Sequence, residues 1–147
     1  MPPPPAPPPS PHPDLAVHHV GIACRDLPAV RRFVEATHTI VAATDVVHDD
    51  VQEADLCLLT DRSGLHIELV AGPVVANLLR KGHTYYHLCY EVEDLESTVA
   101  WLETEGCRQL RPPTPAPLFD GRRVCFLVSP TGIIELLERD PAVGTAT

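Results

Sequence analysis

Twice along this chain a short apolar run is followed by apolar residues at helical spacing. The first run, His19-Val-Gly-Ile-Ala-Cys, leads to Asp26 and then to Leu27, Val30 and Val34, three or four residues apart. The second, His87-Leu-Cys-Tyr-Glu-Val, leads to Asp94 and then to Leu95, Val99 and Leu102, with Gly106 suited to the helix end. Asp26 and Asp94 are N-cap residue types, whose carboxylates can accept from the free amides of a first helical turn. Further strand candidates follow each helix: Val51 to Leu59 and Leu65 to Val70 in the first half, Arg123 to Val128 and Ile133 to Leu137 in the second. Each half therefore reads strand, helix, then about three strands, which predicts an α+β protein of two βαβββ modules.

Residues 1–16 form a proline-rich tail expected to be disordered, followed by a first module over 17–72, a linking helix within 73–84, a second module over 85–139 and a tail over 140–147. The linker Pro73 to Gly82 has helical spacing and a terminal glycine. Arg111 to Leu118 holds four prolines, cannot be a central strand, and is expected as an edge loop bordering a pocket. Gly121 marks a turn into the next strand.

Composition narrows the function classes. Of 17 prolines, nine lie between Pro2 and Pro13, a polyproline stretch that cannot build a core. The chain is 147 residues long and 44% hydrophobic, enough for a real core, and no run approaches the roughly eighteen apolar residues of a membrane helix. A charge of −9 without a basic stripe argues against nucleic acid and anionic membranes as partners. The five cysteines are odd in number, spread out and without a CxxC pair, so they are expected as small core residues, not as a disulfide framework or zinc knuckle. With no signal-like start, the cytoplasm is the expected location.

The duplication carries a chemical pattern. Leu65-His-Ile67-Glu68-Leu69-Val70 closes the first half and Ile133-Ile134-Glu135-Leu136-Leu137 the second; His19 to Glu68 spans 49 residues and His87 to Glu135 spans 48. In an alternating strand Glu68 points away from Ile67 and Leu69. Either the glutamates face solvent, or both sheet faces are covered and each carboxylate needs a partner, since an unpaired buried one costs several kcal/mol. Two imidazoles and two carboxylates make a mixed nitrogen and oxygen set suited to a divalent ion such as Zn, Mn, Fe, Co or Ni.

These features resemble the vicinal oxygen chelate (glyoxalase/bleomycin resistance/dioxygenase) superfamily across Leu15 to Arg139, and most closely its methylmalonyl-CoA epimerase-like branch. The phrases His19-Val-Gly-Ile-Ala, Ile67-Glu-Leu-Val, Tyr86-His-Leu-Cys-Tyr-Glu-Val and Gly121-Arg-Arg-Val-Cys-Phe-Leu through Ile134-Glu-Leu-Leu-Glu carry the likeness. The resemblance implies a curved mixed sheet around a central cleft, with one divalent ion (Zn, Co, Ni, Mn or Fe(II)) held by His19, Glu68, His87 and Glu135. It also implies epimerase or isomerase chemistry on a small carbonyl or acyl-thioester substrate through an enediolate, and a homodimer. A metal-free binder of antibiotics or natural products is the alternative, with Tyr85, Tyr86, Tyr90, Phe119 and Trp101 as candidate cleft residues. An Fe(II) extradiol dioxygenase ranks lower, since a fourth ligand at Glu68 crowds its site.

The chain departs from the branch at the Glu-Gln-Gly-Val phrase that carries a candidate base. Gln52 matches the glutamine and puts Val51 where the glutamate belongs, whereas a shifted alignment puts His48 there. His48, Asp49 and Glu53 are candidate replacements, alongside a displaced Glu68 or Glu135. Gln52 and Tyr86 are candidate substrate contacts, and a CoA phosphate grip would rest on Arg111, Arg122 and Arg123, which are otherwise solubilising charges. The turn Ser129-Pro-Thr-Gly132 lacks the branch's usual basic residue.

Overall fold

A computed structural model describes residues 1–8 and 12–140. The tail expected from Pro141 onward lies outside these residues, while 1–8 and 12–15 carry no helix or strand. The first module runs β1 (Ala16–Cys24), α1 (Leu27–Thr37), β2 (Ile40–Ala43), β3 (Val47–Asp49), β4 (Ala54–Asp61) and β5 (His66–Ala71). Helix α2 (Pro73–Arg80) leads to the second: β6 (Tyr85–Val92), α3 (Leu95–Thr104), β7 (Arg108–Gln109), β8 (Thr114–Pro115), β9 (Arg123–Ser129) and β10 (Gly132–Glu138). No helix among the described residues is long and apolar enough to cross a membrane.

The ten strands form one mixed sheet in the order β2-β4-β5-β1-β6-β10-β9-β7, with β3 on β4 and β8 on β9. Within each module the first strand runs parallel to the last, β1 with β5 and β6 with β10. The modules join where β1 and β6 pair antiparallel, so equivalent strands meet at the centre. Asp26 and Asp94 cap α1 and α3, accepting from Ala29 N at 3.1 Å and Ser97 N at 3.0 Å.

Both faces of the sheet are covered. On one face α1 packs Leu27 and Val34 on Cys57, Leu59, Ile67 and Leu69, while α3 packs Leu95, Val99 and Leu102 on Cys125, Leu127 and Leu136. On the other, Val75 of α2 joins Leu56 and Val70, and Phe119 of the short 3-10 turn (Pro117–Phe119) joins Val124, Phe126 and Leu137. Glu68 and Glu135 point to this second face, so their carboxylates do not reach solvent.

The strand expected from Val51 begins instead at Ala54. Asp49 Oδ1 accepts from both Val51 N and Gln52 N at 3.0 Å, and Glu53 takes a left-handed conformation (φ 54°), so residues 50–53 form a tight turn. All five cysteines are unpaired thiols: Cys24, Cys57, Cys89 and Cys125 are buried and Cys107 is half-buried. Burial pushes Cys24 and Cys125 up to about 11, which keeps them protonated and unreactive.

Candidate metal centre

The register of the central strands lays out the site in two rows on the covered inner face. One row runs His66, His19, Cys89, Glu135 and Phe126 across β5, β1, β6, β10 and β9; the next runs Glu68, Gly21 and His87. His19 and Glu135 thus come from one row, and Glu68 and His87 from its neighbour. The four ligating atoms lie within 4.8 Å of one another. His19 Nε2 stands 3.0 Å from Glu135 Oε1 and 3.6 Å from Glu68 Oε2; His87 Nε2 stands 3.3 Å from Glu135 Oε1 and 3.5 Å from Glu68 Oε1. All four residues are buried: His19 is 0% exposed, Glu68 4%, His87 5% and Glu135 2%.

These contacts leave polar groups unsatisfied. The two Nε2 atoms face each other at 3.2 Å, Glu135 Oε1 accepts no well-directed hydrogen bond despite its short approaches, and His87 Nδ1 has no partner. Burial, then the Glu135 charge, push Glu68 up to about 7 against the pull of both histidines. Burial also works against charge on Glu135, but the close approach of the His19 and His87 imidazoles outweighs it and holds its carboxyl below the usual range. Burial opposes a charge on His87 as well, yet Glu135 and Glu68 hold its pKa above the ordinary value. Four lone-pair donors converging on one point, two of them carboxylates in competition, are the arrangement a divalent cation relieves, and the residues fit such an ion.

Two bulges where β1 meets β6 enrich this face. Val17 and His19 oppose adjacent residues Tyr90 and Cys89, so His18 is extra on β1; Gly21 and Ile22 oppose His87 and Tyr85, so Tyr86 is extra on β6. His18 thereby reaches His19, Nδ1 to Nδ1 at 2.9 Å, and stacks on His66, whose Nδ1 meets the Thr60 hydroxyl at 2.7 Å. Burial and the neighbouring His19 and His66 lower His18 to about 4, leaving it neutral at neutral pH. A His19 that ligates through Nε2 carries its proton on Nδ1, and His18 Nδ1 is placed to accept it. His18, His19 and Cys89 form a second close group, but burial, with Glu135 and Glu68, drives the Cys89 thiol well above its ordinary pKa and makes it a poor ligand.

Gly21 is the residue that pattern reading undervalued. A Cβ there would lie 2.3 Å from His87 Cε1 and 2.7 Å from its Nε2, so the imidazole occupies the space a side chain would take. A glycine inside an apolar strand was the available signal, since it marks a close approach. Of the aromatic walls, Phe119 and Tyr86 were expected cleft residues and Phe126 was missed: Phe119 stacks on His19 at 5.5 Å, and Phe126 and Tyr86 meet His87 edge-on at 5.2 and 4.6 Å. Of the other aromatic candidates, Tyr85 is exposed, whereas Tyr90 and Trp101 pack into the α3 core on the opposite face.

Several expected site residues lie elsewhere. Strand alternation turns His48 away from Asp49 and out to solvent, with 59% of its side chain exposed, where it pairs with Asp50 and Asp55. Arg122 is committed to the Glu91 carboxylate and the Glu138 carbonyl. Arg123 shares the α3 face of β9 with Cys125 and pairs with Glu96 and Glu138. Neither arginine is a free cation at the cleft. Asp49 is buried on the inner side, near enough for its charge to raise Glu68, and its Oδ2 accepts from Gln52 Nε2 at 2.9 Å. Asp49 and Gln52 line one small pocket with Arg111, Thr114 and Phe126, so the proline-rich segment does border a pocket.

Paired βαβββ modules with a buried two-histidine, two-glutamate cluster between them define a chelate-type α+β protein. The sequence pattern of the Glyoxalase/Bleomycin resistance protein/Dioxygenase superfamily matches residues 18–126, and the chain belongs to that family. No curated protein sequence matches it. Among solved structures, methylmalonyl-CoA epimerase from Mycobacterium tuberculosis is similar at 25% identity and TM-score 0.73, over 89% of this chain and 92% of that one. A Streptomyces coelicolor methylmalonyl-CoA epimerase variant in complex with 2-nitronate-propionyl-CoA aligns at 23% identity and TM-score 0.68, over 87% and 97%. A methylmalonyl-CoA epimerase in complex with methylmalonyl-CoA and an ammonium ion aligns at 22% and 0.68, over 86% and 96%.

Proposed function

We propose that the protein is a divalent-metal-dependent epimerase or isomerase that moves a proton on the carbon beside a carbonyl or acyl-thioester group. The observation that carries this reading is the convergence of His19, Glu68, His87 and Glu135 at one buried point, on a fold shared with methylmalonyl-CoA epimerases. These four residues would hold one ion among Zn, Co, Ni, Mn and Fe(II), which when bound supplies a fixed positive charge opposite the negative charge that develops on the substrate oxygen. Four protein ligands favour redox-neutral proton transfer over oxygen chemistry, which needs more open positions.

The chain's own groups divide the remaining work. Glu135 is anchored by both imidazoles, whereas Glu68 stands farther from each, at 3.5 and 3.6 Å. Glu68 is therefore the carboxylate free to swing aside and take the proton from carbon. Asp49 holds the Gln52 amide at the mouth, where it can orient the substrate. Phe119, Phe126 and Tyr86 keep water from the carbanionic centre. Delivery of a proton to the opposite face by a second acid gives epimerisation, and return of the abstracted proton to the neighbouring carbon gives isomerisation.

The test combines elemental analysis of untagged protein with α-proton exchange of acyl thioesters, methylmalonyl-CoA among them, and of hydroxycarbonyl compounds in heavy water. About one ion per chain and exchange that Glu68→Gln abolishes while keeping the ion are expected. A chain that takes up no Zn, Mn, Co, Ni or Fe(II) would favour a metal-free binding protein. Undiminished exchange in Glu68→Gln would remove Glu68 as the base.

A further inference from the structure

The two imidazoles of the cluster are supported unequally. His87 Nδ1 is buried without a partner, whereas His19 Nδ1 lies 2.9 Å from His18 Nδ1. His18 and His19 are neighbours on β1, and regular alternation would send them to opposite faces of the sheet. The bulge between Val17 and His19 brings both to the inner side, so one strand supplies a ligand and the ring beside it.

Two ring contacts fix His18 in that place. It stacks on His66 with centroids 4.9 Å apart and planes 20° from parallel, and it meets Phe119 edge-on at 5.6 Å. His66 stands directly opposite His19 on β5, and Thr60 directly opposite His66 on β4, where the Thr60 hydroxyl meets His66 Nδ1 at 2.7 Å. A row of side chains thus runs across β4, β5 and β1, from Thr60 through His66 to His18, and ends on a ring nitrogen of His19.

A histidine that ligates through Nε2 carries its proton on Nδ1, and the group accepting that proton fixes both the tautomer and the plane of the ring. An imidazole that accepts is uncharged, so support from His18 adds no charge to the two glutamates of the cluster. His87 has no such support, which leaves the outer order of the centre to the His19 side.

We propose that His18 is a positioning residue of the metal centre: it accepts the Nδ1 proton of His19, holds the tautomer that leaves Nε2 free for the ion, and so sets the affinity of the site. The inference rests on the proposed function and adds to it a residue that acts only through His19.

The test measures zinc affinity of the full-length protein by competition against a chromophoric chelator, for the native sequence, His18→Phe and His18→Asn. Phenylalanine keeps a ring for His66 and Phe119 but offers no acceptor; asparagine gives up the ring and can place Oδ1 near the position of Nδ1. His18→Phe should bind zinc about 10- to 100-fold more weakly, the cost of losing an outer partner, and His18→Asn should recover most of that loss. In the zinc-loaded native protein, long-range proton–nitrogen correlation should show the His19 Nδ1 proton at the downfield position of a hydrogen-bonded imidazole. That shift should vanish in His18→Phe and return in His18→Asn.

Zinc affinity of His18→Phe within about twofold of native, or a loss in His18→Asn as large as that in His18→Phe, overturns the positioning role and leaves the metal reading standing. So does a native His19 Nδ1 proton without the downfield shift, a result that needs no variant to fold. A native protein that takes up no Zn, Mn, Co, Ni or Fe(II) overturns both.

Discussion

Replacing Gly21 with alanine should dismantle the metal centre through His87. The two residues are direct partners across β1 and β6, and the added Cβ would sit 2.3 Å from Cε1, 2.6 Å from Nδ1 and 2.7 Å from Nε2 of the imidazole. Ordinary contact begins at 3.4 Å, so the ring or the strand must give by about 1.1 Å. Metal ligands tolerate roughly 0.2 Å of displacement. The ring has no free direction, because Tyr86 and Phe126 stand against it and it is almost wholly buried. Losing an outer-sphere partner of a ligand already costs ~10- to 100-fold in metal affinity, so losing the ligand should cost at least that. The crowding should also cost about 1–3 kcal/mol of stability. Competition against a chromophoric chelator gives the affinity, and urea unfolding gives the stability. If the damage runs through His87, adding Gly21→Ala to His87→Ala should lower metal affinity no further. Metal affinity of Gly21→Ala within threefold of the native protein would refute the reasoning.

Three further outcomes are expected. Burial, with Glu135 and Glu68, pushes Tyr86 up to about 12 from 10.0, so the unfolded chain ionises first as pH rises; stability should fall by about 2–3 kcal/mol between pH 10 and 12. Urea unfolding at pH 9 and 11.5 should show part of that loss vanish in Tyr86→Phe, and an identical pH dependence would contradict it. Asp94→Ala removes the cap on Ser97 N and should cost about 1 kcal/mol in thermal unfolding with metal affinity unchanged; a fall in affinity would show that α3 braces the site. Free ion at about 100 times its Kd should stabilise the fold by ~2.7 kcal/mol, so chelation should lower Tm by several degrees in the native protein and far less in His87→Ala. Equal shifts in both would place the ion elsewhere.

The duplicated module, its helix caps and the four converging residues were legible in the sequence because each is local. A carboxylate between Ile67 and Leu69, or between Ile134 and Leu136, must point opposite to its apolar neighbours, and helix α1 or α3 then takes the apolar side. The repeat of 49 and 48 residues from His to Glu supplied the rest, since equivalent strands of paired modules meet at the centre. What decided the remainder is long-range. The bulges that turn His18 and Tyr86 inward exist only in the pairing of β1 with β6, and alternation counted along either strand alone misses them. His48 and Asp49 are neighbours in sequence, but pairing of β3 on β4 sends one to solvent and one inward. Arg111, Arg122 and Arg123 look alike in the chain; Glu91, Glu96 and Glu138 neutralise two of them and leave the third beside a small pocket. Gly21 matters because His87, 66 residues away, fills the space above it. Strand direction and helix phase are properties of adjacent residues, whereas charge pairing, register and close approach belong to segments that folding alone brings together.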